Sequence, residues 1–407
     1  MPSTQPLGSF NNLLQATSLA LSLVSCGKSP YASADRDGQV LPDGFVLRQY
    51  DLPPLADASA PLSIDHDRDG FFSKFDCNDN DSTVHPLRPG QNIIRANTTL
   101  CRGEYPGSSI VINGNQLTVE GNDSSVGPID IQNHSNLIFR GLRVLEGRIS
   151  VQGSHDVTFQ NMQVRGVDVD NSQHMVLRDV HAIVVGSNLV YNFTNSVNND
   201  VIGGSIASGE GSDLLGARIV LHNTHNTKFE GCLFGINTFI RLENNSVGDL
   251  ISGCTFVNTS QPDRNANISI VDGSNHDTVF NNTFRGDPTV TERQRVGIFV
   301  AGNQIQILRN TVDGLGFGIV IADGNQIVIE DHNTVLHQAI VGVQIGFGPF
   351  EEVRFPSGVI VRQNAITGNS IGLHCRVPNT YITGNNLTRN GSNNYQCEPL
   401  YCLGNTE

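Results

Sequence analysis

The sequence predicts an all-β chain: a single-stranded right-handed parallel β-helix of about 12 coils, preceded by an N-terminal calcium loop and cap. Three observations carry this. Composition disfavours helix, since of 407 residues 42 are Gly, only 16% are charged, three are Met and none is Trp, while the turn- and strand-favouring residues Asn, Gly, Val, Ile and Thr are plentiful. A turn-marked apolar pattern recurs from about residue 113 to 390. Ahead of it lies a run of aspartates at calcium-loop spacing.

Residues 1–26 read as an export signal. Their apolar stretch, Leu13 to Ser25, is too short and too polar to span a bilayer. It ends in Leu23-Val24-Ser25-Cys26-Gly27, which resembles the lipobox of bacterial lipoproteins, and the resemblance implies lipidation at Cys26. No Lys or Arg precedes Lys28, so the positive region usual in such signals is missing. Residues 27–60 form a polar tether. The expected location is secreted or cell-surface, with membrane attachment only through that lipid.

Residues 61–105 hold the acidic segment and N-terminal cap. Asp65-His66-Asp67-Arg68-Asp69-Gly70 places oxygens at positions 1, 3 and 5 and Gly at 6, with Asp76 at 12, the spacing at which alternate carboxylates converge on one calcium ion. Asp76-Cys77-Asn78-Asp79-Asn80-Asp81 follows, so Asp65, Asp67, Asp69, Asp76, Asp79 and Asp81 are the expected ligands. The pair of motifs resembles the aspartate repeats of thrombospondin type and the metal-binding motif of bacterial surface proteins, which implies a structural calcium. Cys77 and Cys101 bracket the segment and suit a staple. Beyond Cys26 the chain has seven cysteines, and an odd number leaves one unpaired. Cys375, Cys397 and Cys402 fall at the last coil and in a Cys-containing C-terminal cap, residues 391–407.

Residues 106–390 are the repeat. LTVEGN, LIFRGLRV, VTFQNMQV, TKFEGCLF, IQILRNTV and VIVRQNAI share alternating apolar residues, then a polar pair, a turn residue and a further apolar position. The turn markers are Gly121, Gly141, Asn161, Asp179, Gly204, Gly231, Gly253, Asn282, Asn310, Asn333, Asn364 and Asn386, a mean step of about 24 residues, one turn of a parallel β-helix. Alternate apolar residues fill the interior and like residues stack at roughly 4.8 Å. Asn at the turn tolerates a left-handed backbone and can bond the next Asn. Cys232 and Cys254 fall at one place in successive coils, which suits stacked thiols or a disulfide. The longest steps precede Gly231, Asn282, Asn310 and Asn364, where loops would wall a groove.

This repeat resembles the right-handed parallel β-helix superfamily, which includes pectate, alginate and chondroitin lyases, polygalacturonases, mannuronan epimerases and non-enzymatic surface proteins. The resemblance implies an acidic polysaccharide as partner. The catalytic motifs of polygalacturonases and epimerases are absent, and Arg354-Phe355-Pro356 is only a fragment of a pectate-lyase motif. Net charge is −14, and only Lys28, Lys74 and Lys228 of the 25 basic residues are lysines, which argues against nucleic acid. A polyanion would need a local Arg cluster or divalent cations.

Strand alternation nominates the site. With Ile149/Val151, Val167/Val169, Ile219/Leu221 and Ile240/Leu242 inward, the outward residues include Asp168, Asp170, His222, Arg241 and Glu243, the candidate catalytic set, beside Asn192 and Arg218. Asp168 and Asp170 have Cα atoms about 6.7 Å apart, compatible with an inverting glycosidase pair. His222 and Glu243, one coil apart at about 5 Å, suit an oriented general base. Arg241 or Arg218 would neutralise a uronate carboxylate during proton removal. Later coils turn apolar on this face at Phe299, Ala301, Val320 and Ala322. Three classes remain open: a lyase or glycoside hydrolase of acidic polysaccharide, a non-catalytic binding protein of the cell surface, and a structural envelope protein.

Overall fold

The computed structural model describes residues 77–78, 80–184, 189–208, 217–235, 238–258, 266–271, 273–286, 295–346, 355–395 and 402–407. The leader, Cys26, the tether and Asp65, Asp67, Asp69, Asp76 and Asp79 lie outside these residues. The chain divides into two compact units, Met1–Pro61 and Leu62–Glu407, and every described residue belongs to the second.

That unit is a right-handed parallel β-helix, with no helix among the described residues. Its strands form one 14-stranded and one 21-stranded parallel sheet. Each turn gives one strand to the first sheet and one long strand, or two short ones, to the second. Fourteen strands exceed the twelve expected turns by one at each end, Gly90–Ile94 and Ser392–Tyr395. Neither terminal turn shows the full repeat around its strand, so the marker pattern did not reach them.

Register explains the cohesion. In the 14-stranded sheet one inward file runs Ile149, Val167, Tyr191, Ile219, Ile240, Ile268, Ile298, Ile319, Val343 and Leu373, each beside the next. The other sheet stacks Phe234, Phe256 and Phe284 at centroid separations of 4.6 and 4.7 Å. Each such ring contributes about 1.5–3 kcal/mol through burial.

The turns use two residues where the sequence reading assigned one. Asn281, Arg309, His332, Gln363 and Gly384 take the left-handed backbone, φ between 53° and 66°. The following asparagines, Asn282, Asn310, Asn333, Asn364 and Asn385, point inward and are nearly fully buried. Asn282 donates its backbone N–H to Asn310 Oδ1 at 2.9 Å and its Nδ2 to Ile251 O at 2.8 Å. The same pattern repeats to Asn405. The last marker is therefore Asn385, not Asn386: a one-residue error that puts the marker on the opposite face.

Cys232 and Cys254 occupy the earlier places in this file as free, buried thiols. Cys254 donates its N–H to Asn282 Oδ1 at 2.9 Å, and its Sγ reaches Phe229 O as the asparagine amides reach their own preceding strand. Cys375 is also free and buried, so three described cysteines are unpaired. Cys77 and Cys101 form a disulfide across the first turns. Cys402 is also disulfide-bonded.

Candidate functional site

The site lies on the outer face of the 14-stranded sheet, across strands Leu189–Thr194, Ala217–His222 and Thr238–Glu243. Its floor is Val220, an apolar residue at an outward position that is only 6% exposed. Around it Leu189, Asn192, Thr194, Arg218, His222 and Glu243 border a cavity of about 340 Å³. Parallel register sets Asn192 beside Val220 and Val220 beside Arg241, while Thr194, His222 and Glu243 form the next file.

Of the expected residues, His222 and Glu243 meet in the cavity. Glu243 is only 14% exposed at its side chain and is ion-paired to Arg241 Nε through Oε2, with His222 Nδ1 3.5 Å from Oε1. Asn244 Nδ2 lies 2.7 Å from the same His222 nitrogen, so Nδ1 is engaged and Nε2 is the nitrogen left for a ligand. Asp168 and Asp170 stand one turn earlier, beside Asn192 and Thr194.

Asp168 is gripped by a residue that sequence reasoning missed. Arg148 donates to Asp168 through Nε and, at 2.8 Å, through Nη2, and its Nη1 reaches Leu189 O at 2.6 Å. The guanidinium crosses the intervening turn over Gly166, where any side chain would collide with it and with the Val190 carbonyl. A signal for Arg148 was available: Arg148-Ile149-Ser150-Val151 aligns with Arg218-Ile219-Val220-Leu221, so the two arginines hold equivalent positions. Among the described residues Asp170 accepts only from its neighbour Asn171 Nδ2, at 2.9 Å.

Arg218 differs from both other arginines. It makes no ion pair among the described residues, whereas Arg148 and Arg241 each hold a carboxylate, and its Nε is buried with no hydrogen-bond partner. Leaving such a group unmatched costs about 1–3 kcal/mol, more for a charged one. The arrangement is thus one unmatched cation at the cavity wall, with a neutralised carboxylate and an oriented imidazole at the other side. Past Ser269 the same face closes, with Ala266, Val296, Phe317, Val320 and Val341 buried in a second apolar cluster.

Asp81 is the expected calcium ligand that falls within the described residues. Its Oδ1 accepts from Thr83 N at 3.1 Å and Thr83 Oγ1 at 2.7 Å, which holds its carboxyl below the usual range. Among the described residues no three His, Cys, Asp or Glu side chains group as a metal site, and no helix is long and apolar enough to cross a membrane.

No family model matches the chain, and no curated protein matches it in sequence. Among solved structures it is similar to a mannuronic acid specific polysaccharide family 6 lyase from human gut microbiota, with 13% identity over 75% of this chain and 80% of that one and a TM-score of 0.43. It is similar to the mannuronan C-5 epimerase AlgE6 A-module of Azotobacter vinelandii, with 14% identity over 79% and 90% of the two chains and a TM-score of 0.37. A third similarity is to PfbA, a surface adhesin of Streptococcus pneumoniae, with 11% identity over 80% and 84% and a TM-score of 0.39.

Proposed function

We propose that this protein is exported and recognises an acidic polysaccharide in the cavity around Val220. The observation that carries the reading is Arg218, a cation whose buried Nε lacks a partner at the wall of a sugar-sized pocket. A uronate carboxylate supplies what it lacks, with charge-assisted hydrogen bonds. Asn192 and Thr194 offer neutral donors and acceptors for hydroxyls, and Val220 offers an apolar floor. The disulfide at Cys77 and Cys101 supports an oxidising location outside the cytosol, in line with the leader and with attachment through Cys26.

His222 favours a second step, β-elimination. With the carboxylate held by Arg218, and in the tautomer whose Nδ1–H faces Glu243 Oε1 with the Asn244 amide turned to present its oxygen, His222 Nε2 would take the proton α to that carboxylate, the electron pair would form the carbon–carbon double bond, and the bond to the leaving glycosidic oxygen would break, that oxygen taking a proton from solvent. Glu243, already paired with Arg241, would orient the imidazole rather than attack.

Binding and ultraviolet absorbance of the unsaturated product, measured on a panel of acidic polysaccharides, test both parts. Arg218→Ala should abolish binding and turnover together, and His222→Ala should abolish turnover alone. Arg218-dependent binding with no absorbance on any substrate would leave a binding protein. Unaltered binding by Arg218→Ala would end the proposal.

A further inference from the structure

We infer that the glycan recognised here carries isolated anionic units set between neutral or amino-bearing sugars, not a carboxylate on every unit. The inference rests on the pocket being a glycan site and concerns the charge pattern of what fills it.

Charge along the open face decides the matter. From strand Ile129–Gln132 to strand Ala266–Ile270 the described outward charges are Asp130, Asp168, Asp170, Arg218, Arg241 and Glu243, with Arg148 reaching in. Two pairs cancel: Arg148 with Asp168, and Arg241 with Glu243. What remains is a single cation, Arg218, and two carboxylates, Asp130 and Asp170. Their partners are neutral amides, Gln132 Nε2 at 3.0 Å and Asn171 Nδ2 at 2.9 Å, which leave both charges unbalanced.

Asp170 lies two turns before His222, through Thr194. Two turns are about 10 Å, close to the screening length at about 0.1 M salt, so its field reaches a ligand in the pocket. On the opposite flank Arg218 pairs with Phe239, and the next turn presents Ser269, so among the described residues no unmatched cation stands there either. A chain of uronates crossing the turns would satisfy Arg218 with one carboxylate and set others against Asp170 and Asp130, a like-charge arrangement that excludes partners. A chain with one uronate among hydroxylated or amino sugars meets acceptors there instead, while Phe239 offers an apolar surface to a ring.

Calorimetric titration of the full chain at low salt, with and without calcium, compares three oligosaccharides of equal length. These are a homopolymeric uronate, an alternating uronate–N-acetylhexosamine chain, and a neutral glucan. The alternating chain should bind about tenfold more tightly than the homopolymer. Asp170→Asn and Asp130→Asn should each raise homopolymer affinity roughly threefold, and Arg218→Ala should weaken the alternating chain at least about tenfold. Equal or tighter homopolymer binding in either buffer, or indifference of that binding to both Asp→Asn changes, overturns the inference and leaves an acidic-glycan site standing. No binding by any oligosaccharide, or indifference to Arg218→Ala, defeats the underlying reading instead.

Discussion

Just beyond the strand ends that carry His222 and Glu243, two carboxyls are stacked inside the molecule. Asp249 accepts from Thr227 N at 2.7 Å and Thr224 Oγ1 at 2.8 Å, and gives its own N–H to Asp277 Oδ1 at 2.9 Å. Asp277 Oδ2 is buried with no partner. Desolvation pushes Asp249 up to about 7 and Asp277 up to about 8, the second also raised by the first's charge. Because both pKa values exceed the unfolded value of 3.8, the folded state holds these protons more tightly. Their contribution to stability is greatest below about pH 4, declines as pH rises towards 7 and 8, and is level above that. Asp277→Asn should therefore raise the unfolding free energy at pH 9, by on the order of 2 kcal/mol, and leave it nearly unchanged at pH 4. Denaturant titrations at the two pH values check this, and a uniform gain at both would contradict it. None of this was legible in the sequence, where nothing sets Asp249 and Asp277 apart from the other acids that fall beside turn residues. Arg218 and Arg241 were equally visible as outward arginines. That one is matched and the other is not depends on side-chain reach, which strand alternation does not encode.

The turn file acts as an element in its own right, since each asparagine completes the turns on both sides of it. Asn310→Ala would leave the Asn282 N–H without its acceptor and take the amide donor from the carbonyls of Val279 and Leu308, the second of which keeps the Asn281 N–H. The cost should be about 3 kcal/mol or more in denaturant unfolding. Cys254→Asn runs the other way. It replaces a weak Sγ contact to Phe229 O by an amide that bonds Asn282 as well, and should stabilise by about 1 kcal/mol. A loss from Cys254→Asn would mean that the thiol's volume, not its place in the file, determines that position. The sequence showed this element through its period, because turn residues recur wherever a coil must bend. It did not show the division of labour, since a left-handed His332 or Gln363 beside an inward Asn looks like any polar pair.

At the scale of the whole chain the fold was the most legible feature: alternation and a period near 24 residues are redundant over many turns, so no single misread residue could hide them. The calcium segment was read from one copy of a motif, and its test is correspondingly direct. Calcium at about a hundred times its dissociation constant should stabilise the protein by about 2.7 kcal/mol, reversed by a chelator, and Asp67→Asn with Asp69→Asn should remove the effect. A melting temperature indifferent to calcium would refute a structural ion. The bonding of the asparagine file also has a direction in time. Asn282 receives its acceptor from Asn310, 28 positions later, and Asn385 from Asn405. A chain that emerges N-terminus first, from the ribosome or a translocation channel, always presents one newest coil with its inward amide still open. Growth is then vectorial, like a zip drawn from one end, each coil's inward N–H closing only when the following asparagine arrives, as Asn385 waits for Asn405.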